Sequence, residues 1–447
     1  MRGPTRRGAM KVGAAALLGV AALKEREARA DDAKVDSSGP QSPVGSGYTW
    51  GHTLAFGEEY HQGMLAIFDD IRRTELGALA ELADRMAATL KSGGNVWMQA
   101  KQGHMPRFEF DESNKGNPRI MRSNSDWDDS DYDKMRKGDM LVTNYVNENV
   151  KRAKQAGVTI VEVTVCYQDR PENQGGWVKP DESGMTQKDL ANLMIESHTP
   201  MEQGLVTCPE IPEMKLCPSS SNALAALFWM MQAEAANRFK NPSSRGAEMA
   251  TAVLDTLIER TRSTYGAQKD AIFACAKEIA ERIGGGAHYH VTSDHQGVQC
   301  DATGVASGPM MTNAFRKEMK KGDVHLVATI EADAKAIIDE AHKARDMGMY
   351  VVAIGPAGAK ELRALSDAFF DNHSGEGGGL LEIPGFSERI ATVGGIVNNI
   401  LAWILTAQFV DEMVRRGYVP WFWMGFYLEG GGEYDEAVKR FFQRQGY

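Results

Sequence analysis

Met135-Arg136-Lys137-Gly138-Asp139 runs straight into the apolar stretch Met140 to Thr143, and Met319-Lys320-Lys321-Gly322-Asp323 runs into Val324 to Thr329. A basic turn closing on Gly-Asp, followed by a short apolar run, reads as entry into a buried strand. The surroundings match as well. Each strand leads into a helix that ends at a glycine, Gly157 or Gly348, and each helix leads into a second apolar strand, Val158 to Val165 or Met349 to Ile354. Gly just past a helix end is the expected stop, since it takes the left-handed conformation without steric cost.

Working outward, the pairing persists. Upstream, the helical period of Ala78 to Leu90 stops at Gly93-Gly94 before the strand Asn95 to Ala100. That of Gln268 to Ile283 stops at Gly284-Gly285-Gly286 before the strand His288 to Thr292. Downstream, Leu190 to Glu196 precedes Ile211-Pro212 and the helix Ala223 to Ala236. Leu365 to Asp371 precedes Ile383-Pro384 and the helix Ile396 to Val414. Strands alternating with helices imply a parallel sheet with helices on both faces. The order predicts two similar α/β domains, residues 50–243 and 244–447, each a three-layer α/β/α unit with a parallel sheet of about five strands.

The glycine stops, the Gly138-Asp139 and Gly322-Asp323 turns and their order resemble the SIS (sugar isomerase) domain family. The C-terminal stretch adds Asp371-Asn372, Ile383-Pro384-Gly385, Arg416-Gly417 and Glu429-Gly430-Gly431-Gly432-Glu433-Tyr434, and is similar to the end of small stand-alone SIS proteins of unassigned function. The resemblance covers nearly all of the chain after residue 55. It implies a nucleotide-free α/β fold that binds phosphosugars through two loops at the C-terminal ends of the strands. Hydroxyls and helix N-termini suit phosphate oxygens there.

The loops depart from that pattern. Where the family carries Ser-x-Ser-Gly-x-Thr, the second copy reads Thr329-Ile330-Glu331-Ala332-Asp333-Ala334, and the first reads Asn144-Tyr145-Val146-Asn147. Glu331 and Asp333 repel a dianion, so the sequence by itself favours a neutral or amino sugar over a phosphorylated one, or a site that no longer binds. Candidate ligand contacts are Gln102, Gly103 and His104 after the first strand of copy one, and Ser219, Ser220 and Ser221 at the start of its last helix. Copy two contributes Thr292, Ser293, Asp294 and His295, with Thr329 and Glu331. Short polar side chains bond sugar hydroxyls well. His104 and Glu376 are candidate bases for the proton transfer of aldose–ketose isomerisation. His288, His290, Asp294 and His295 invite a metal reading, but they show no fourth ligand. The sequence assigns neither a metal nor a cofactor. An exported sugar isomerase or lyase and a non-catalytic sugar-binding or sensory protein both fit. The aromatic cluster Trp421, Phe422, Trp423, Phe426 and Tyr427 reads mainly as packing for the C-terminal segment.

The 447 residues are 43% hydrophobic and 25% charged, enough for two globular cores. At the N-terminus, Arg6-Arg7 with Lys11, the apolar run Val12 to Leu23, and Ala28-Arg29-Ala30 follow the order of a twin-arginine-like signal peptide, expected over residues 1–30. A flexible leader over 31–49 is expected to follow. Residues 1–30 carry seven basic and two acidic residues, so removing them takes the net charge from -10 to -15. An acidic mature chain is a poor partner for nucleic acid or anionic lipid. Gly394 to Val410, interrupted by Asn398, Asn399 and Gln408, reads as a buried helix and not a membrane span. The expected partner is a sugar or sugar derivative, met by a pseudo-dimer within the chain or by a homodimer, in the periplasm or another exported location. Of five cysteines, Cys208 and Cys217 are the close pair.

Overall fold

The computed structural model describes residues 54–99, 114–124, 129–144, 147–164, 186–200, 202, 204–294, 296–313, 318–375, 378–425, 428 and 430–447. The expected signal peptide and leader lie outside them, as do His104 and Glu376.

The first half opens on α1 (Phe56–Thr74) and α2 (Leu76–Lys91). Leu79, Leu82, Ala83, Met86 and Ala87 line one stripe of α2 at helical spacing, and all are buried. There follow β1 (Val96–Gln99), β2 (Met121–Asn124), β3 (Met140–Thr143), α3 (Glu148–Gln155), β4 (Thr159–Thr164), α4 (Gln187–Leu190) and β5 (Leu193–Glu196). Asn147 of the shortened loop caps α3, its Oδ1 accepting the Val150 N–H at 2.9 Å. A small antiparallel pair, β6 (Gly204–Val206) and β7 (Leu216–Pro218), precedes α5 (Ser220–Lys240).

The second half begins with α6 (Glu248–Gly284), a 37-residue helix of which the sequence pattern picked out only the last part. It continues with β8 (Tyr289–Ser293), α7 (Gln296–Ala302), β9 (Thr312–Asn313), β10 (Val324–Ala328), α8 (Lys335–Asp346), β11 (Tyr350–Gly355), α9 (Lys360–Leu365) and β12 (Ala368–Asp371). Two helices close it, α10 (Gly394–Arg415) and α11 (Gly431–Gln445).

The first sheet has the order β2-β1-β3-β4-β5 and the second β9-β8-β10-β11-β12, with every neighbouring pair parallel. The two halves therefore repeat one α/β topology, as the paired motifs predicted. Alternation along the strands sorts side chains to two faces. Met140 and Val142 of β3, and Val324, Leu326 and Ala328 of β10, join one continuous core with α1, α2, α5, α6 and α10. Leu141 and Val327 point the other way, into separate outer cores under α3 and under α8 and α9. Nearly every residue of α5 and α10 is buried, which is why their apolar character runs all the way round. Among the described residues no helix is long and apolar enough to cross a membrane.

The Gly-Asp turns do the same work twice. Gly138 (φ 92°) and Gly322 (φ 90°) take a left-handed conformation that L side chains avoid. Asp139 then accepts the Asn95 N–H (2.8 Å), the Arg136 N–H (3.2 Å) and Trp97 Nε1–H (3.1 Å). Asp323 accepts the His288 N–H (2.8 Å) and the Lys320 N–H (3.0 Å), and meets His290 Nε2 at 3.1 Å. Both carboxylates are fully buried and tie the starts of two neighbouring strands together. Cys208, Cys217 and Cys275 are buried free thiols, so Cys208 and Cys217 form no disulfide.

Candidate ligand site at the strand ends

In an open parallel sheet, ligands sit beyond the C-terminal strand ends, where the chain's winding reverses. Those points are β1/β3 and β8/β10.

At the first, β1 ends on Gln99 and β3 on Thr143, followed by Asn144; all three are buried. Gln99 Oε1 accepts hydrogen bonds from the Tyr132 hydroxyl and from Thr143 Oγ1. Gln99 Nε2 and both polar atoms of the Asn144 amide are shielded and unpartnered. A buried amide without a partner costs roughly 1–3 kcal/mol, so these groups stand out among the described residues. Gln102, Gly103 and His104 follow β1 in sequence but lie outside the described residues.

At the second point, Thr292 and Ser293 end β8. Thr292 Oγ1 lies 2.9 Å from His325 Nε2. Ser293 is 6% exposed and its hydroxyl has no partner among the described residues. Thr329 donates its hydroxyl to Asp294 and accepts the Glu331 N–H at 2.9 Å. His295 lies outside the described residues. Glu331 is paired with Lys115, a residue of the first half, so the charge that the sequence sets against a phosphate is offset by the other half.

Beside this loop opens a cavity of about 280 Å³, lined by Arg260, Ile330, Ser374, Arg389, Thr392 and Gly394 among others. That is near the low end for small-molecule sites. α6 brings Arg260, and further along it Gln268 clamps the backbone of Asp371 in both directions (2.7 and 2.8 Å). Asn372 and Asn398 both donate to the Thr329 carbonyl, at 3.3 and 2.9 Å, locking the turn at Ile330 onto α10. Val393 at the N-cap offers α10 no side-chain bond, so its first N–H groups are left for another acceptor. Gly394 packs closely here: a Cβ would stand 2.8 Å from Ser374 Oγ and would make that side chain shift. Ser374 Oγ itself is shielded and has no partner among the described residues. Burial pushes the Arg260 guanidinium pKa below its ordinary value, against a raising effect from Glu259, and among the described residues no carboxylate pairs with it. Arg389 donates to the Leu380 carbonyl at 2.8 Å. The first half closes the wall, with Thr392 Oγ1 donating to the Lys115 carbonyl (2.7 Å) and the Ala391 N–H to that of Gly116 (3.0 Å).

The serines of α5 face elsewhere. Ser219 and Ser220 are fully buried, and Ser221 donates to Asp301. Asp301 also accepts Asn399 Nδ2–H (2.8 Å) and Trp403 Nε1–H (2.7 Å), while Asn399 donates to Asn222, joining α5, α7 and α10. Burial pushes the Asp301 pKa up, and those three bonds pull against it. The structure thus gathers Thr292, Ser293, Asp294, Thr329 and Glu331 at one strand end and sets Ser221 in a polar seam between the halves. Arg260, Ser374, Arg389 and Lys115 were missed: an arginine inside a helix, or a lysine in an irregular segment, carries no local signal of what it will face.

On matching strands, each half carries a glycine stop and a Gly-Asp turn into the sheet's central strand. The chain resembles SIS-domain proteins. No family model matches it. A UPF0309 protein of Shouchella clausii is 23% identical over 133 residues, covering 27% of this chain and 54% of that protein. The chain thus spans about half the length of that relative. A UPF0309 protein of Brucella anthropi is 24% identical over 228 residues, covering 46% of this chain and 90% of that protein. Two solved structures align over most of this SIS-like chain. The C-terminal domain of glucosamine-fructose-6-phosphate aminotransferase from Francisella tularensis has a TM-score of 0.44 and 9% identity, covering 83% of this chain and 98% of that one. Tagatose-6-phosphate ketose/aldose isomerase from Escherichia coli has a TM-score of 0.44 and 12% identity, covering 81% and 93%.

Proposed function

We propose that the chain is an exported SIS-like protein that binds an anionic carbohydrate derivative at the strand ends of its second half. One observation carries this reading: the cavity beside Thr329 is lined both by Arg260, which among the described residues pairs with no carboxylate, and by Gly394 at the N-terminus of α10, which has no side-chain cap. Guanidinium groups and helix N-termini both favour phosphate or carboxylate oxygens. Hydroxyl groups of the sugar find Ser374, Ser293 and the Thr329–Asp294 pair. This reverses the preference for neutral sugars that Glu331 and Asp333 suggest by themselves, because Lys115 offsets Glu331. The buried amides of Gln99 and Asn144 support a second, neutral hydroxyl-binding position in the first half.

Calorimetric titration with glucosamine and glucosamine 6-phosphate tests the reading. The phosphate should bind at least about tenfold tighter, worth about 1.4 kcal/mol. Equal or weaker binding of the phosphate contradicts it. Isomerase activity would fall to His104 and Glu376 as bases; turnover of ketose and aldose phosphates that disappears in a His104→Ala variant would assign it, and its absence would leave a binding protein. The Arg6-Arg7 signature supports export, and protein recovered from the native host should begin at Asp31.

A further inference from the structure

At the opposite end of the second sheet, three side chains converge that the proposed function does not use. His288 precedes β8 and His290 lies within it, on the same face, and Asp323 enters β10 beside them. Asp323 Oδ2 lies 3.1 Å from His290 Nε2 and 3.6 Å from His288 Nδ1. One ligand atom from each of the three falls within 4.8 Å of the others.

The register of the two sheets gives an internal reference. Val96 pairs with Met140 as Tyr289 pairs with Val324, so His288 stands where the first half has Asn95, and His290 where it has Trp97. Trp97 already shows what the fold needs there: one N–H donor to the Gly-Asp carboxylate. A single donor meets that need. The second half instead sets two imidazoles against one carboxylate oxygen.

We infer that His288, His290 and Asp323 form a zinc-binding site that holds the strand starts of the second half together. Two imidazole nitrogens and a carboxylate oxygen are a common zinc donor set. Ligand atoms of a tetrahedral zinc stand about 3.4 Å apart, given bonds of about 2.0–2.2 Å. The two separations from Asp323, 3.1 and 3.6 Å, lie on either side of that value, and the two histidine nitrogens are within 4.8 Å of each other. His290 and Asp323 are almost wholly buried, while the His288 side chain is 26% exposed, so the site lies near the surface at the strand starts. Zinc on His290 Nε2 requires the neutral Nδ1–H tautomer of that ring, so no net charge change is needed on it.

The untagged full-length chain, dialysed against chelator, is titrated with zinc chloride in a calorimeter. One zinc per chain is expected, with a matching rise in thermal midpoint. His288→Asn installs the first half's residue and leaves the His290–Asp323 contact in place. It should weaken zinc binding by at least about tenfold, since loss even of an outer-sphere partner costs about 10- to 100-fold. His342→Asn, at an exposed histidine elsewhere on the second half, should change nothing. Should far-UV circular dichroism show His288→Asn to be misfolded, His290→Gln takes its place with the same expected loss. Absence of stoichiometric uptake by the wild-type chain, or undiminished uptake by the folded variant, overturns the inference.

Discussion

The two halves share a frame and differ at their working ends. Asp139 and Asp323 accept hydrogen bonds from equivalent backbone groups and from one side chain at equivalent positions. At the C-terminal strand ends the equivalence stops. The first half presents uncharged buried amides, Gln99 and Asn144. The second presents a carboxylate–hydroxyl pair and a cavity with Arg260 beside the start of α10. The lesson is one of constraint. Turns that satisfy buried backbone donors can be built in few ways and so recur, whereas loops beyond the strands are free to take on different chemistry.

The strongest way to break the comparison is to attack what the halves share. Asp139→Ala and Asp323→Ala each strand one buried and two partly buried donors, and each should cost about 3 kcal/mol in urea unfolding of the full chain. Markedly different losses at the two positions would mean that the frames are not equivalent. Next comes the seam, which belongs to neither repeat alone. Asp301→Ala removes the acceptor of Ser221, Asn399 and Trp403, and should cost about 2 kcal/mol by the same measurement.

A smaller effect sharpens the difference in chemistry. Arg260→Gln should lower glucosamine 6-phosphate affinity about tenfold, equivalent to about 1.4 kcal/mol, and leave glucosamine affinity unchanged. An equal loss for both sugars would show that Arg260 shapes the cavity and does not meet the anion.

The smallest effect concerns α11, for which the described residues of the first half show no counterpart. Burial pushes the Asp435 carboxyl from its ordinary 3.8 up to about 6, against the lowering hydrogen bond from the Met424 N–H. A raised folded value means a stabilising contribution that is complete below about pH 4 and fades as pH rises through about 6. The stability advantage of wild type over Asp435→Asn should therefore shrink between pH 4 and 7. An advantage that grows over that range would contradict the assignment.

Much of the frame was legible because it rests on short-range rules. Gly138 and Gly322 need a left-handed backbone, Gly157 and Gly348 stop helices, and Met140 to Thr143 is too apolar and too short to be anything but a buried strand. Long-range arrangements were not legible. Nothing local in Glu248 to Gln268 announces that α6 runs 37 residues and carries Arg260 to the end of the second sheet. Lys115 sits in an irregular stretch, and only the packing of one half on the other brings it to Glu331. Ser219 to Ser221 read equally well as an anion cradle or as helix-start serines. What decided Ser221 was Asp301, some eighty positions away in the chain.

The most direct test of the account is a crystal structure of the full chain soaked with glucosamine 6-phosphate. The account predicts phosphate density against the Arg260 guanidinium and the first N–H groups of α10, with the sugar ring reaching toward Thr329. Phosphate density on Gln99 and Asn144 in the first half, with the Arg260 cavity empty, would contradict it.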